Sequence, residues 1–162
     1  MMEEEIVSPE EELKRADHLI YVSLKYTRTC DIMKNAMKRL INAFEMSMYA
    51  YLEDLRKEKK IKEVPGTIKE RAILVKKLVG NPVNKYMALY NLLKKIDKAE
   101  YSAKEEFRKN VTLTTKNTPT PIEVKVVNLY QYLEITKEFV SFMRAKSFKR
   151  WLFIMQNVEF FF

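Results

Sequence analysis

At 162 residues, 47% apolar and 32% charged, the chain has the composition of one folded domain with a real core, not of a disordered segment. Two glycines leave no material for a Gly-rich phosphate loop; one cysteine and one histidine exclude an internal disulfide, an ordinary Cys/His zinc site and a di-iron site of two Glu-x-x-His pairs. No metal or cofactor is expected, and the net charge of +8 is compatible with nucleic-acid binding.

The N-terminus MMEEEI is acidic and lacks the apolar segment of a signal peptide. No apolar run approaches the roughly 18 residues needed to span a bilayer, so a cytoplasmic protein without membrane contact is the expectation. Ser8-Pro9-Glu10-Glu11 is an S-x-x-E capping box with Pro at the first helical position. It opens a helix to about Tyr26 whose apolar stripe is Leu13, Ala16, Ile20 and Leu24, flanked by Tyr21 and Val22. Thr27, Arg28 and Thr29 suit a short break, after which Thr29 or Asp31 caps the next helix, although nothing there forbids one continuous helix.

The stretch 31–55 organises the rest. Met33, Met37, Leu40, Phe44, Met48, Tyr51 and Leu55 recur at intervals of three and four, which on a 3.6-residue helix makes one continuous apolar stripe over about seven turns. A stripe of that width requires other helices along it. Charged residues 56–62 fray its end, and Val64-Pro65-Gly66 is a turn. Thr67 to Glu70 is a second capping box for a short helix, 68–79, expected to bury Ile68, Ala72, Val75 and Val79 and stopped by Gly80. A fourth helix runs from about Val83 to Glu100 with Tyr86, Leu89, Tyr90, Leu93 and Ile96 inward. Ser102 to Glu105 reads as a third capping box, where the helix bends or restarts to Lys109.

Residues 111–115 are β-branched and alternate with period two, 117–121 are turn-like and 122–124 offer a return strand, which predicts a small β-hairpin near 111–124 or, failing that, a plain loop. A fifth helix covers about 125–145 with Val126, Leu129, Leu133, Val140 and Met143 on one side. The tail 146–162 is rich in aromatics with little helical period. It packs over the helices or against another copy or partner, with Trp151, Phe153, Phe160 and Phe161 the interface candidates. The fold expected is an all-α antiparallel up-and-down bundle of about five helices, a single domain over 1–162.

Few residues suggest chemistry. His18 is the chain's one imidazole and Arg15 lies one turn before it, a pair able to clamp a phosphate and act as acid or base on it; an ordinary helix-surface histidine is the plainer reading. Cys30 near a helix N-terminus has a dipole to lower its pKa, yet a continuous helix sets it about 18 Å from His18, so only a sharp turn at 27–29 or a second subunit brings the two together. The basic residues are dispersed, often beside glutamates, as solvated helix faces usually are. Arg108, Lys109, Arg144, Lys149 and Arg150 are the candidate nucleic-acid contacts. Tyr86, Tyr90 and Tyr101 have lysine neighbours and suit base stacking, but they coincide with core stripes.

Two stretches carry a resemblance: LKRADHLIYVSLKYTRTCDIMKNAMKRLINAFEMSMYAYLEDL at 13–55, and EEFRKNVTLTT at 105–115 followed by a strand-like turn and a closing helix ending in KEFVSFM. The arrangement resembles small uncharacterised archaeal helical-bundle proteins of the HEPN-like type. That resemblance implies an up-and-down bundle that dimerises, acting as a metal-independent ribonuclease or as an inactive binding module. Active members carry Arg, four to six residues, then His; here Arg15 precedes His18 at spacing three, so no catalytic residue carries over. The expectation is a non-catalytic binding or structural module that self-associates or binds another protein. The alternative is a ribonuclease or RNA-binding protein using Arg15, His18 and the dispersed basic residues.

Overall fold

A computed structural model describes residues 7–158. Helix α1 (Pro9–His18) opens as its capping box dictates, with Ser8 Oγ accepting from the Glu11 N–H at 3.2 Å. A π-helical turn, Leu19–Ser23, and the short α2 (Leu24–Tyr26) continue it without a break. The Leu24 N–H reaches back five residues to the Leu19 carbonyl, the mark of the wider turn. Thr27 is extended, and Thr29 Oγ1 caps α3 (Cys30–Lys57) by accepting from the Ile32 N–H at 3.4 Å.

Helix α3 is 28 residues long, about 42 Å at 1.5 Å per residue. Its expected stripe is buried from Met33 to Leu55, and α1, α4, α5 and α6 all pack along it. Phe44 sits at the centre, stacked on Phe139 with ring centroids 4.6 Å apart and tilted against Tyr90 at 5.6 Å. Helix α4 (Ile68–Val79) has its predicted bounds, set by the Thr67 cap and by Gly80 at φ 80°. It is more peripheral than expected: Val75 alone is fully buried, while Ile68 and Leu78 are exposed. A 3₁₀ turn, Asn81–Val83, leads into α5 (Asn84–Lys98), whose Tyr86, Leu89, Tyr90, Leu93 and Ile96 face the core.

The helical restart at Ser102 does not occur. The chain turns extended at Ala99 and forms β1 (Glu100–Lys104), antiparallel to β2 (Thr112–Lys116), which in turn pairs with β3 (Glu123–Lys125). The predicted hairpin is β2–β3; the third strand was hidden because Ser-x-x-Glu fits a cap as well as a strand edge. What selects the strand is tertiary. The β-branched β2 offers its edge, with Ser102 opposite Thr114, and the Tyr101 hydroxyl donates to Asp31 on α3. The fold is therefore mostly helical with a small three-stranded sheet, not purely all-α.

Helix α6 (Val126–Val158) has 33 residues, about 50 Å, and continues well beyond the predicted end near 145. Apolar side chains at five successive positions, 151–155, erase the helical period without breaking the helix. The described part of the tail is not core: Phe148, Trp151, Phe153 and Met155 are exposed. Phe160 and Phe161 lie outside the described residues. Among the described residues no helix is long and apolar enough to cross a membrane.

Candidate functional site

The π-helical turn faces the start of α6, and together they enclose a cleft of about 380 Å³. Buried Ile20 and Leu24 line it together with half-buried Val126 and Tyr130. Tyr21 and Tyr130 sit side by side, ring centroids 4.8 Å apart and planes at 47°. The remaining wall is cationic: Lys25, Arg28, Lys109 and Lys125, with Asn110 and Val127 between them.

Each cation arrives from a different local structure. Lys25 lies on α2, one turn after Tyr21, and Arg28 follows in the extended linker. Lys109 and Asn110 come from the loop between β1 and β2. Glu105 and Phe107 in that loop have φ of 58° and 66°, left-handed conformations that cost a non-glycine residue on the order of 1 kcal/mol each. Two hydrogen bonds offset that cost and dock the loop. The Phe107 N–H donates to the Arg28 carbonyl at 2.7 Å, and Glu106 accepts from the Cys30 N–H at 3.1 Å at the start of α3. Lys125 closes β3, where its N–H donates to Asn128 Oδ1 at 2.8 Å. The positive end of the α6 dipole therefore adds to the four side chains.

Part of the positive charge elsewhere on the surface is neutralised in ion pairs. Arg39 pairs with Glu12, Lys38 with Asp97, Lys94 with Glu45, Lys137 with Asp17 and Arg150 with Glu58. No carboxylate lines the cleft, and among the described residues none of its four cations enters a salt bridge. Four like charges around one concavity raise one another's potential and attract an anion.

Of the residues expected to contact nucleic acid, Lys109 alone lines this cleft. Arg108 beside it lies 3.8 Å from Glu105. Arg144 is held bidentate by Glu10 at 2.8 and 3.0 Å, which keeps the Glu10 carboxyl below its ordinary range, chiefly through that hydrogen bond. Arg150 pairs with Glu58 at 3.1 Å and lies over the Tyr51 ring, while Lys149 is exposed. Fourteen residues of helix separate Tyr130 from Arg144, about 21 Å, so the five candidates do not form one patch. Tyr86 and Tyr90 are core residues, and Tyr101 serves the sheet. The missed tyrosine and cations had a signal: Tyr21, Lys25 and Arg28 follow at spacings of four and three, one side of a helix.

Arg15 lies 3.5 Å from Glu12, a carboxylate only 3% exposed that Arg39 also contacts at 3.4 Å. Its charge is committed to that network. His18 ends α1, exposed and outside the cleft lining. Cys30 is fully buried, its Sγ donating to the Thr112 carbonyl at 3.5 Å. Burial first, then the Glu106 and Asp31 charges, push its pKa from the ordinary 9.0 to about 11, against the helix-dipole expectation. About one thiol in a thousand is then ionised at pH 8. A thiol reagent at pH 8 should leave the folded chain unlabelled over the time that fully labels it in denaturant; equal rates would show that Cys30 is accessible.

Among the described residues no group of three or more His, Cys, Asp or Glu is placed to hold a metal ion. No protein-family model, curated protein or solved structure matches the chain.

Proposed function

We propose that this chain is a non-catalytic nucleic-acid-binding module, an up-and-down helical bundle of HEPN-like kinship, and that a single-stranded segment occupies the cleft between the π-helical turn and α6. The observation that carries this reading is the set of four cations without salt bridges beside the Tyr21–Tyr130 pair. Cations along a groove neutralise successive phosphates, and aromatic faces stack on bases of any identity. The volume of about 380 Å³ lies near the lower end of the roughly 300–1,000 Å³ of small-molecule pockets, room for part of a strand with the rest running over the surface.

Binding without cleavage follows from what lines the site. Cleaving RNA without a metal requires a group that takes a proton from the 2′-hydroxyl near neutral pH. The lining holds lysines, an arginine, tyrosines, an asparagine and aliphatics, with neither histidine nor carboxylate. The missing Arg…His spacing points the same way within a HEPN-like lineage.

The test is fluorescence anisotropy with labelled RNA and DNA oligonucleotides of about 12 residues, within the roughly 4–16 nucleotides such grooves occupy. Four phosphate contacts on a single strand give a slope of log K against log salt of about −2.8, a loss of about 50-fold between 50 and 200 mM salt. Binding that ignores salt contradicts the proposal. RNA cleavage that disappears in His18→Ala replaces it with a divergent ribonuclease.

A further inference from the structure

Helix α6 outruns its supports. Arg150 reaches Glu58 at the end of α3 and lies 4.8 Å from the centre of the Tyr51 ring. Beyond this tie the side chains 151–157 are all exposed. Trp151, Leu152, Phe153, Ile154 and Met155 follow one another, and at 100° per residue they cover every side of the helix. Phe148 extends the surface, its ring stacked on Trp151 at 5.9 Å. A helix apolar on all sides belongs in an apolar surrounding, a protein core or a membrane.

The base of this tip is ringed by positive charge. Lys146 and Lys149 lie on α6 itself, and Lys57 at the end of α3 shares one concavity with Lys59, Lys60 and Lys62 of the turn after it, Lys60 lying 3.8 Å from Glu58. The Arg150–Glu58 pair joins the two groups. No acidic residue lies between 145 and 158. We infer that the tip docks into the surface of an anionic lipid bilayer, with the lysine collar over the headgroups and the aromatic tip among the acyl chains. Both halves of the surface are then used: apolar area and juxtamembrane lysines act together at such a surface. Eight residues, 151–158, reach about 12 Å, less than half of the roughly 30 Å hydrocarbon core. The described tip therefore reaches into one leaflet. A second copy is a poorer occupant, because tip-to-tip pairing brings two lysine collars together.

Trp151 is the chain's single tryptophan, so the intact protein carries its own reporter. Its emission is read with phosphatidylcholine vesicles, with and without phosphatidylglycerol, alongside vesicle flotation. The expected result is a shift to shorter wavelength and flotation with the anionic vesicles only, both fading as salt rises. Leu152→Glu with Phe153→Glu should abolish the shift and flotation while helix content and melting temperature hold. Lys57→Glu, Lys59→Glu and Lys62→Glu together should weaken vesicle binding on the order of 100-fold. Absence of a shift, or equal binding to neutral vesicles, overturns the inference. So does a vesicle-free shift that grows with protein concentration as the sedimenting mass doubles, which assigns the tip to a second copy. A shift produced by oligonucleotide alone assigns it instead to the nucleic-acid surface.

Discussion

Exchanging Lys25, Arg28, Lys109 and Lys125 together for alanine should cut single-stranded nucleic-acid affinity about 600-fold at 0.1 M salt and flatten the salt dependence nearly to zero. The magnitude follows from counterion release. Each phosphate neutralised on a single strand contributes a factor of salt to the power −0.7, about fivefold at 0.1 M, and four such factors multiply to that loss. Single replacements should each lower the slope by about 0.7. Tyr21→Ala should behave differently. It removes a stacking face worth roughly 1–3 kcal/mol, so affinity falls with the slope unchanged. The four cations are exposed or half-buried and none enters a salt bridge among the described residues, so the variants should fold. Lys149→Ala, more than 20 Å along α6 by the helical rise, serves as the control. Unchanged affinity in the quadruple variant, or an equal loss in the control, removes the cleft from the binding surface.

What the sequence disclosed divides along the range of the interactions concerned. Helix α3 was legible because its determinant is periodic and local: Met33 to Leu55 at intervals of three and four demand one face. Helix α4 was legible at both ends because Thr67 and Gly80 act on the neighbouring backbone alone. Strand β1 was not, since its state depends on β2, Ser102 pairing with Thr114 twelve residues on, and on Asp31 seventy residues back. The tail defeated periodicity for the opposite reason: with every position apolar, no face stands out to mark a helix. The cleft is the extreme case. Its lining draws on residues 20–28, 109–110 and 125–130, and nothing local says that the loop carrying Lys109 docks on the Arg28 carbonyl. Lys109 was singled out within a basic run; Lys25, Arg28 and Lys125 were passed over because each stands alone in the chain. Arg144 and Arg150 looked equivalent to them in sequence, and they are committed to Glu10 and Glu58.

The largest stability effect should come from the middle of α3. Phe44→Ala should cost about 3–5 kcal/mol, the usual range for deleting a fully buried phenylalanine. Phe44 is 0% exposed and its ring is the one that meets both Tyr90 on α5 and Phe139 on α6. Removing it takes away two aromatic contacts and leaves a cavity where three helices meet. Against a total stability of about 5–15 kcal/mol, that loss brings the chain near unfolding. The melting temperature should fall by about 10 °C, at roughly 2–4 °C per kcal/mol for a chain of this size. Urea titration should show a lower midpoint with an unchanged slope, since the unfolded surface is the same. Phe153→Ala makes the comparison sharp. That ring is 67% exposed on the α6 tip, and its loss should stay within about 0.5 kcal/mol. Two phenylalanines with the same chemistry then differ several-fold in effect, because one joins helices and the other faces outward. Similar losses at both would mean that the tip is packed in solution; a loss below about 1 kcal/mol at Phe44 would remove α3 from the centre of the fold.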